Sequence, residues 1–373
     1  MDDSPLVVGI DGRELQGRPT GTGRYLRNLL RRWRETGDTL IVYFSGPPPE
    51  EPTLDHPAVA RRSVGDGRDG GLFWQQGLLP ATARADRLDV FFSPAYACPL
   101  GLPVPRVTAV HDLSFFSQPQ DFTARDGFRR RLLTTLSVTA SRGIVACSDF
   151  TRRELLGRFP AAADRVSHVP LGPDDDLPPS PPRAEARRRL GVSGPYVITV
   201  GAVLNRRCLP ELLRAVALLA RRHPELVLDV VGENRTHPLL DLRALVSSLG
   251  LTDHVRLSGF VDEPALADRY AAADGAVFLS EYEGFGLPAL EAAARGLPLV
   301  VGRDPSLGEI FRSAALLVGP RNESDVARAL DRVLSEPGLR ERLVSAGRAL
   351  ASRYSWDRTA ALTRAVFVKA VRS

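Results

Sequence analysis

The sequence predicts an α/β protein made of two doubly wound domains. Strand-length apolar runs alternate with amphipathic helical segments along the whole chain, which is the pattern of parallel sheets flanked by helices. The chain has 373 residues, too many for one ordinary domain. A proline-rich stretch, GPDDDLPPSPPR (172–183), interrupts the alternation near the middle and is typical of a linker.

The first half is predicted to contain five strands separated by helices. A helix is expected after Gly23, with its apolar positions three and four residues apart, and Ser148 is the expected N-cap of a helix at 151–159. The predicted strands are LVVGID (6–11), TLIVYF (39–44), DVFFS (89–93), RVTAVHD (106–112) and GIVACS (143–148).

The second half repeats the alternation and ends in a long helix at 356–371. We therefore expect a first domain at 1–172, a linker at 173–183 and a second domain at 184–353, with a ligand in the cleft between the strands' carboxyl ends. The predicted strands are YVITVGAV (196–203), LVLDVVG (226–232), VRLSGF (255–260), AVFLS (276–280), PLVVG (298–302) and ALLV (315–318).

Composition narrows the class of protein. Hydrophobic residues make up 43% and charged residues 25%, as in globular domains with sizeable cores, and no apolar run has the length of a membrane span. A net charge of +5 is too small for a nucleic-acid-binding module. The three cysteines show no metal-binding spacing, so we expect a reduced, cytoplasmic protein without a nucleic-acid partner.

The stretch EGFGLPALE (283–291) is the strongest local signal. It holds two glycines, a proline and a phenylalanine that we expect to be exposed, between two glutamates. A helix is predicted to begin near Leu287 with Pro288 in its first turn, which leaves the amides of residues 285–287 free to bind an anion such as phosphate. Glu291, about one turn into that helix, could reach a ribose, whereas Glu283 lies before the turn.

The motif E-G-F-G-L-P-x-L-E resembles the E-x7-E motif of retaining glycosyltransferases of family 4, which have the GT-B fold. The resemblance extends over nearly the whole chain through four further segments in the family's order. That fold consists of two Rossmann-like domains that face each other across a cleft, with the last helix (356–373) crossing back to the first domain. The segments are PTGTGRYLRNLL (19–30), VTAVHDLSFF (107–116), GIVACSDFTRREL (143–155) and SGFVDEPALADRYAAADGAVFLS (258–280).

The resemblance implies roles for individual residues. Glu291 would hold the ribose hydroxyls of a nucleotide, while Glu283 would hold the donor sugar. His111, at the end of a strand, would contact the donor sugar near the bond that breaks. The other implied donor-binding positions are Gly21, Gly23, Gly201, Val261, Phe285, Gly286 and Leu287.

The segment GAVLNRRCLPELLRA (201–215) resembles a family stretch, commonly G-T-x-x-x-R-K-N, that gives a cationic pair to the diphosphate. Here the pair is Arg206 and Arg207, with Arg207 at the lysine position and Cys208 at the asparagine position. Arginine keeps the positive charge and can bind phosphate through two parallel N–H bonds. We expect Arg206, Arg207, Glu283 and His111 to carry the catalysis.

The implied reaction is retaining transfer of a hexose from a nucleoside-diphosphate sugar. Fixed positive groups would stabilise the leaving diphosphate, without a metal or another cofactor. The Asp-x-Asp run at 174–176 lies in the linker and is expected to be solvated. A pyridoxal-dependent phosphorylase is excluded, because the one lysine, Lys369, lies at the far end of the chain.

Two alternatives stay open: a sugar-nucleotide-binding protein without catalysis, and a sugar-nucleotide epimerase of the same fold. The combination of HDLSFF and GTGRY favours GDP-mannose over UDP- or dTDP-sugars, with a glycan, a lipid-linked sugar or a small molecule as acceptor. Arginines clustered at 24–34 and at 129–131 add contact with the inner face of a membrane as a further hypothesis.

Overall fold

The structure, a computed structural model, describes residues 4–17, 20–68, 70–173 and 178–373. It divides into two compact units. One unit comprises Met1–Ser117, Ala124–Leu171 and Ser355–Ser373; the other comprises Gln118–Thr123 and Gly172–Tyr354. Each unit is built around a parallel sheet with helices, so the predicted fold class is confirmed.

The first unit holds a seven-stranded sheet in the part of the chain that the structure describes, with the order β3-β2-β1-β4-β5-β6-β7. Every neighbouring pair is parallel. The order reverses between β1 and β4, so the carboxyl ends of these two strands flank the place where doubly wound sheets bind ligands. The strands are β1 (Val7–Asp11), β2 (Thr39–Ser45), β3 (Val59–Val64), β4 (Val90–Ser93), β5 (Arg106–Val110), β6 (Gly143–Ala146) and β7 (Val166–His168).

The helices of the first unit lie between these strands. Thr20 accepts a hydrogen bond from Gly23 N and caps the first helix, and Ser148 caps the fifth as predicted. The helices are α1 (Gly21–Trp33), α2 (Leu79–Ala83), α3 (Ser114–Ser117), α4 (Ala124–Ala140) and α5 (Asp149–Arg158).

The second unit holds a six-stranded parallel sheet, again counted over the described residues, with the order β10-β9-β8-β11-β12-β13. Its order reverses between β8 and β11, and this reversal is the topological switch point of the unit, where doubly wound sheets bind ligands. The strands are β8 (Tyr196–Val200), β9 (Val227–Val231), β10 (Val255–Gly259), β11 (Gly275–Phe278), β12 (Leu299–Gly302) and β13 (Ala315–Val318).

The helices of the second unit are α6 (Arg183–Leu190), α7 (Leu209–Ala220), α8 (Leu242–Ser248), α9 (Glu263–Ala272), α10 (Leu287–Ala294), α11 (Pro305–Ile310), α12 (Glu323–Ser335) and α13 (Pro337–Ala351). Leucine, valine and alanine side chains of α7, α8, α12 and α13 pack with strand residues into one hydrophobic core cluster.

The last helix, α14 (Trp356–Arg372), packs on the first unit, as predicted. The ring of Phe367 lies 5.1 Å from that of Trp33 and 5.3 Å from that of Phe92, and all three side chains are buried. Arg364 forms two hydrogen bonds to the Asp38 carboxylate, at 2.7 and 2.9 Å. None of the helices in the described residues is long and apolar enough to span a bilayer.

Candidate active site

The switch point of the second unit contains a narrow cavity of about 40 Å³. It lies between the loops that follow β8 and β11, at the carboxyl ends of these strands. Four predicted site residues line its wall: Gly201, Arg207, Glu283 and Gly286. The fold therefore brings residues from two separate motifs, 201–208 and 283–291, to one place.

Gly201 makes room for the side chain of Arg207. The glycine has φ +121°, a conformation that side chains rarely adopt, and a Cβ at this position would lie 2.1 Å from Arg207 Nη1. The same Nη1 donates a hydrogen bond to the Ala202 carbonyl at 3.1 Å. The absence of a side chain at 201 thus lets the guanidinium fold back over the end of β8.

Arg207 also forms an ion pair with Glu283. Its Nε donates to Glu283 Oε1 at 2.7 Å, and the two side chains are 24% and 14% exposed. A charge-assisted bond in such a partly buried place is stronger than one in open solvent. The pair joins the loop after β8 to the loop after β11.

Arg206 ties the same two loops together through backbone groups. Its Nε donates to the Tyr282 carbonyl at 3.2 Å, and its own carbonyl accepts from Glu281 N at 2.8 Å. Cys208 follows in the left-handed conformation, with φ +48°, where asparagine and glycine are the usual residues. Burial raises the pKa of the Cys208 thiol to about 12, so the thiol is neutral at physiological pH.

The turn before α10 has the predicted geometry. The helix begins at Leu287 with Pro288 in its first turn, and Gly286 is its N-cap with φ +86°. A Cβ on Gly286 would lie 2.2 Å from Leu307 Cδ2, so glycine is required for both conformation and space. The first N–H groups of a helix have no acceptor within it, which makes this end suitable for an anion.

The expectation that Phe285 is exposed is wrong. Its side chain is only 5% exposed, and its ring packs edge-on against Tyr354 at 5.7 Å. Burying an aromatic ring against another apolar or aromatic group stabilises the folded protein, because it removes apolar surface from water. Tyr354 is far away in the sequence, so nothing in the motif itself indicates this contact. The ring of Phe285 is therefore part of the core, and only its backbone N–H is left to bind a ligand.

Glu291 and Val261 are placed differently from the cavity-lining residues. Glu291 lies within α10 and is only 2% exposed. Val261 is partly buried two residues after β10. Their nucleotide-binding roles, like that of Leu287 at the start of α10, stay predictions.

Asp304 is a site feature that the sequence did not reveal. It follows β12, is 3% exposed, and its Oδ1 accepts hydrogen bonds from Ser306 N at 2.8 Å and Leu307 N at 3.1 Å. Burial, and to a lesser degree the nearby Glu283, raise the pKa of Asp304 to about 7. Ser306 Oγ in turn donates to the Gly284 carbonyl at 3.0 Å, which anchors the turn before α10.

An aspartate after an apolar strand and before a proline and a serine is a helix-cap signal that could have located Asp304. The sequence does not show that the helix it caps supports the turn at 284–286.

The remaining predicted residues belong to the first unit. Gly21 has open space around it, whereas a Cβ on Gly23 would lie 2.4 Å from the Glu14 carbonyl oxygen. Gly23 is therefore needed for the packing of α1 against the short 3-10 helix Arg13–Leu15. The side-chain-free surface at the start of α1 is at Gly21, and contact of either glycine with a diphosphate stays a prediction.

His111 follows β5 and is held in one orientation. Its Nε2 lies 2.8 Å from the Pro94 carbonyl, and because a carbonyl only accepts, Nε2 carries the proton. Burial lowers the pKa of His111, so the ring is neutral at pH 7 with Nδ1 unprotonated. The edge of the ring also packs against Tyr25, at 4.8 Å between centroids.

The Asp-x-Asp run at 174–176 lies outside the described residues. Among the residues that are described, no group of three or more histidine, cysteine, aspartate or glutamate side chains is arranged to hold a metal ion.

Comparison with known proteins covers both halves of the chain. Residues 183–350 match the family model for glycosyl transferases group 1, and residues 19–177 match the model for glycosyltransferase family 4. A D-inositol 3-phosphate glycosyltransferase of Streptomyces bingchenggensis (strain BCW-1) is 33% identical, over 63% of this chain and 54% of that protein. The chain thus spans about half the length of that relative. The O-antigen chain mannosyltransferase B of Escherichia coli is 28% identical, over 91% of this chain and 93% of that protein.

Solved structures give the same fold. Sucrose-phosphate synthase from Thermosynechococcus elongatus superposes with a TM-score of 0.81 and 20% identity, over 98% of each chain. Anabaena HepE, solved in complex with UDP and glucose, superposes with a TM-score of 0.75 and 18% identity, over 97% of this chain and 99% of that one. Such identities establish the fold alone. With family models matching on both sides of residue 180, the chain belongs to the family 4 glycosyltransferases of the GT-B fold.

Proposed function

We propose that this protein is a retaining, metal-independent glycosyltransferase that moves a hexose from a nucleoside-diphosphate sugar to a hydroxyl group. One observation carries the proposal: the Arg207–Glu283 ion pair lies over Gly201 at the switch point of the second sheet, beside the start of α10. A cation, a carboxylate and free helix N–H groups at one place suit a sugar diphosphate, which has both anionic oxygens and hydroxyls.

The charges suit the departure of a diphosphate. Negative charge builds on this group as the glycosidic bond breaks, and fixed donors aimed at it stabilise the transition state more than the ground state. Arg206, Arg207 and the first amides of α10 are such donors. Because these groups already supply positive charge, we propose that the transfer needs no metal.

The proposal of retention rests on the resemblance to the retaining family 4 enzymes, and the way the carboxylates are held bears on how retention would be achieved. Glu283 is engaged by Arg207, and Asp304 is buried behind the turn with its Oδ1 used as a helix cap. Without a ligand neither carboxylate is free to act as a nucleophile, and in the proposed complex Glu283 would be engaged by the sugar hydroxyls. We therefore propose same-face attack by the acceptor through a short-lived oxocarbenium-like species.

For the donor we propose GDP-mannose. The Escherichia coli relative, which matches this chain over nearly its whole length, is a mannosyltransferase by name. The proposed acceptor is a glycan, a lipid-linked sugar or a small polyhydroxylated molecule.

The experiment is a donor panel. GDP, UDP and dTDP are tested by thermal shift. GDP-mannose, UDP-glucose and dTDP-rhamnose are then tested for nucleotide release in the presence of a panel of sugar and polyol acceptors, with and without excess EDTA. We expect GDP to stabilise the protein most and GDP-mannose to be turned over in EDTA. Loss of turnover in EDTA that Mn²⁺ or Mg²⁺ restores would contradict metal independence. Binding without any nucleotide release would instead support the non-catalytic alternative, and conversion of the donor to its epimer would support an epimerase.

We also propose contact with an anionic membrane surface, through α4. This helix exposes Phe128, Leu132 and Leu136, spaced by four residues, at 63%, 46% and 40%. The exposed Arg125 and Arg129 lie beside this stripe, and basic side chains next to exposed apolar ones suit anionic lipid.

In α1, Arg27, Arg32 and Arg34 are ion-paired with Glu51, Asp357 and Glu35. Arg129 of α4 is also ion-paired, with Asp126, so the feature that favours α4 is its exposed apolar stripe.

In flotation with phosphatidylglycerol-containing vesicles at low salt, the wild-type protein should be recovered in the vesicle fraction. The Phe128→Ser/Leu132→Ser variant should be recovered in the unbound fraction. The matched control Leu218→Ser, at an exposed leucine of the second unit, should be recovered with the vesicles. Equal flotation of all three proteins would exclude α4 as the contact.

A further inference from the structure

Tyr96 has a backbone conformation that tyrosine rarely adopts. It lies in the loop that follows β4, with φ +38°, in the left-handed region that favours glycine. A side chain is unfavourable there, because its Cβ comes close to a backbone carbonyl oxygen. Strained residues of this kind persist only where other contacts hold them, and they cluster at functional sites. The contacts that hold Tyr96 therefore bear on its role.

Tyr96 is held through its backbone, its hydroxyl and its ring. Its N–H donates to the Ala109 carbonyl of β5 at 2.9 Å, and its hydroxyl donates to Asp112 Oδ2 at 3.2 Å. The ring packs edge-on against Phe115, at 5.5 Å between centroids. Burial, and to a lesser degree Asp112, raise the pKa of Tyr96 well above its ordinary value, so the hydroxyl keeps its proton. The loop after β4 is thus fastened to the chain on both sides of His111.

The same loop supplies the acceptor that orients His111. The Pro94 carbonyl, two residues before Tyr96, lies 2.8 Å from His111 Nε2. Ala97 N donates to the Ala95 carbonyl, which closes a three-residue turn centred on Tyr96. The chain therefore turns sharply directly after the Pro94 peptide, and the positive φ of Tyr96 is part of that turn.

The backbone of His111 is fixed from another direction. Its carbonyl accepts from Cys147 Sγ at 3.0 Å and from Thr151 Oγ1 at 3.3 Å. The ring differs, because within the described residues its one hydrogen bond is the one to Pro94. If that carbonyl turned away, Nε2 would lose its acceptor and the proton would be free to occupy either ring nitrogen. The tautomer of His111 thus depends on the loop after β4.

We propose that Tyr96 is a positioning residue for His111: its left-handed turn aims the Pro94 carbonyl at Nε2 and so keeps Nδ1 unprotonated as an acceptor. The inference rests on the proposed function and on the predicted role of His111 at the donor sugar. It adds a residue that acts through His111 and needs no contact with the substrate.

The first test follows the His111 tautomer directly. Nitrogen-15 NMR on full-length protein labelled at histidine distinguishes a protonated from an unprotonated ring nitrogen, and His111→Gln identifies the signals of His111. Tyr96→Gly introduces a residue that adopts the turn without strain, whereas Tyr96→Val introduces a β-branched residue that disfavours it. We expect one tautomer, with the proton on Nε2, in wild type and Tyr96→Gly, and a mixture of tautomers in Tyr96→Val.

Arg87→Val is the matched control. Arg87 is also a non-glycine residue of the first unit with a left-handed conformation, φ +48°, but it precedes β4 whereas Tyr96 follows it. Valine at 87 has the same backbone conflict away from His111, so the single tautomer should remain. If Tyr96→Val does not fold, Tyr96→Ala replaces it, because alanine disfavours the turn without β-branching.

The pattern across these variants decides the inference. A single tautomer that survives in Tyr96→Val, or in Tyr96→Ala where that replaces it, would overturn it. So would the loss of the single tautomer in Tyr96→Gly, because the ring or hydroxyl and not the turn would then hold His111. Loss in Arg87→Val would equally overturn it, because general destabilisation would then explain the effect.

Turnover connects the tautomer to the reaction. With a donor that the wild type uses, Tyr96→Val should lower kcat at least about tenfold, and Tyr96→Gly and Arg87→Val should stay within about threefold, since small misplacements of a reacting group are costly. Affinity for the nucleoside diphosphate should be unchanged, because the predicted nucleotide-binding residues lie in the second unit. Wild-type kcat in a Tyr96→Val protein with mixed tautomers would overturn the role in the reaction.

The two readouts separate this inference from the proposed function. If the wild type turns over no donor with any acceptor, the proposed function fails, and the NMR comparison still decides whether Tyr96 positions His111. If the wild type is active and the tautomer does not respond to the residue at 96, only the present inference fails.

Discussion

The guanidinium of Arg207 donates to Glu283 at 2.7 Å across two loops that are 76 residues apart in the chain. Each charge neutralises the other before any substrate is present. A sugar diphosphate that binds here would exchange this bond for two new ones, phosphate to Arg207 and sugar hydroxyls to Glu283. The ion pair therefore keeps both side chains oriented in advance, which lowers the entropy cost of binding.

We predict that Arg207→Met reduces turnover at least about a hundredfold, because a preorganised donor to the leaving group is lost. Nucleotide affinity should fall less than turnover if the contact strengthens in the transition state. The measurements are kcat and the calorimetric Kd of GDP. Arg214→Met, at a 44% exposed arginine of the same unit, is the control and should behave like wild type. Unchanged kcat in Arg207→Met would remove this arginine from the mechanism.

Arg207→Lys tests whether the planar guanidinium of Arg207 contributes to kcat beyond its positive charge. Lysine keeps the charge but loses the planar fork that reaches Glu283 and Ala202 together. We expect kcat to fall by less than in Arg207→Met. A lysine variant as slow as the methionine variant would show that the fork, and not the charge, is what matters.

Gly286→Ala should destabilise the second unit by about 2–4 kcal/mol, judged from denaturant unfolding. Roughly 1 kcal/mol comes from the positive φ, and the rest from the overlap with Leu307. Gly250→Ala has a positive φ with open space around it, so it measures the backbone cost alone. The double variant Gly286→Ala/Leu307→Ala should lose less than the two single changes summed. Strict additivity would mean that the side-chain overlap is not the cause.

Glu291→Gln should weaken GDP binding about tenfold and leave binding of inorganic pyrophosphate unchanged. The reason is that a carboxylate on the ribose hydroxyls contributes a charged hydrogen bond, while pyrophosphate has no ribose. Both affinities can be obtained by calorimetry on one preparation. An equal loss for the two ligands would indicate a general disturbance of α10, and no loss for GDP would remove the ribose role.

Asp304 predicts a pH dependence of stability. Its pKa of about 7 lies above the ordinary 3.8, so the folded protein holds this proton more tightly than the unfolded chain. The resulting stability is fully present below about pH 4 and is lost as the pH rises through about 7. Asp304→Asn imitates the protonated form and keeps an oxygen for the Ser306 and Leu307 amides.

The Asp304→Asn variant should come closest to wild type at about pH 4 and become more stable than wild type as the pH rises to 8, with the difference growing by at least about 1 kcal/mol, since one pKa unit corresponds to about 1.4 kcal/mol. Thermal and denaturant unfolding at both pH values give the difference. Asp253→Asn, at an exposed aspartate of the same unit, controls for the change in net charge. A difference that is the same at both pH values would contradict the raised pKa.

Phe367→Ala in α14 should destabilise the first unit by about 3–5 kcal/mol, the usual cost of removing a buried aromatic ring. Its contacts with Trp33 and Phe92 are lost together. Arg358→Ala, at an exposed position on the same helix, should cost little. Tryptophan fluorescence follows the unfolding of this unit, because Trp33, Trp74 and Trp356 all lie in it. A variant that unfolds at the wild-type denaturant concentration would show that α14 is not part of this core.

Much of the fold could be predicted because the apolar pattern repeats with the period of each element. The five strands predicted in the first half appear with ends shifted by at most two residues, and the last helix was predicted to within one residue. Two strands of the first unit were missed for separate reasons. In β3 (VARRSV) three exposed polar residues interrupt the apolar run, because it is an edge strand, and β7 has only three residues.

The sequence by itself determined the alternation of strands and helices, the start of α10 at Leu287 and the glycine turn that precedes this helix, because these depend on local backbone preferences. Only the tertiary structure decided the burial of Phe285 against Tyr354, the pairing of Arg207 with Glu283 and the raised pKa of Asp304. These three depend on which distant segments meet and on how much water they exclude, and neither quantity is encoded in any short stretch of the chain.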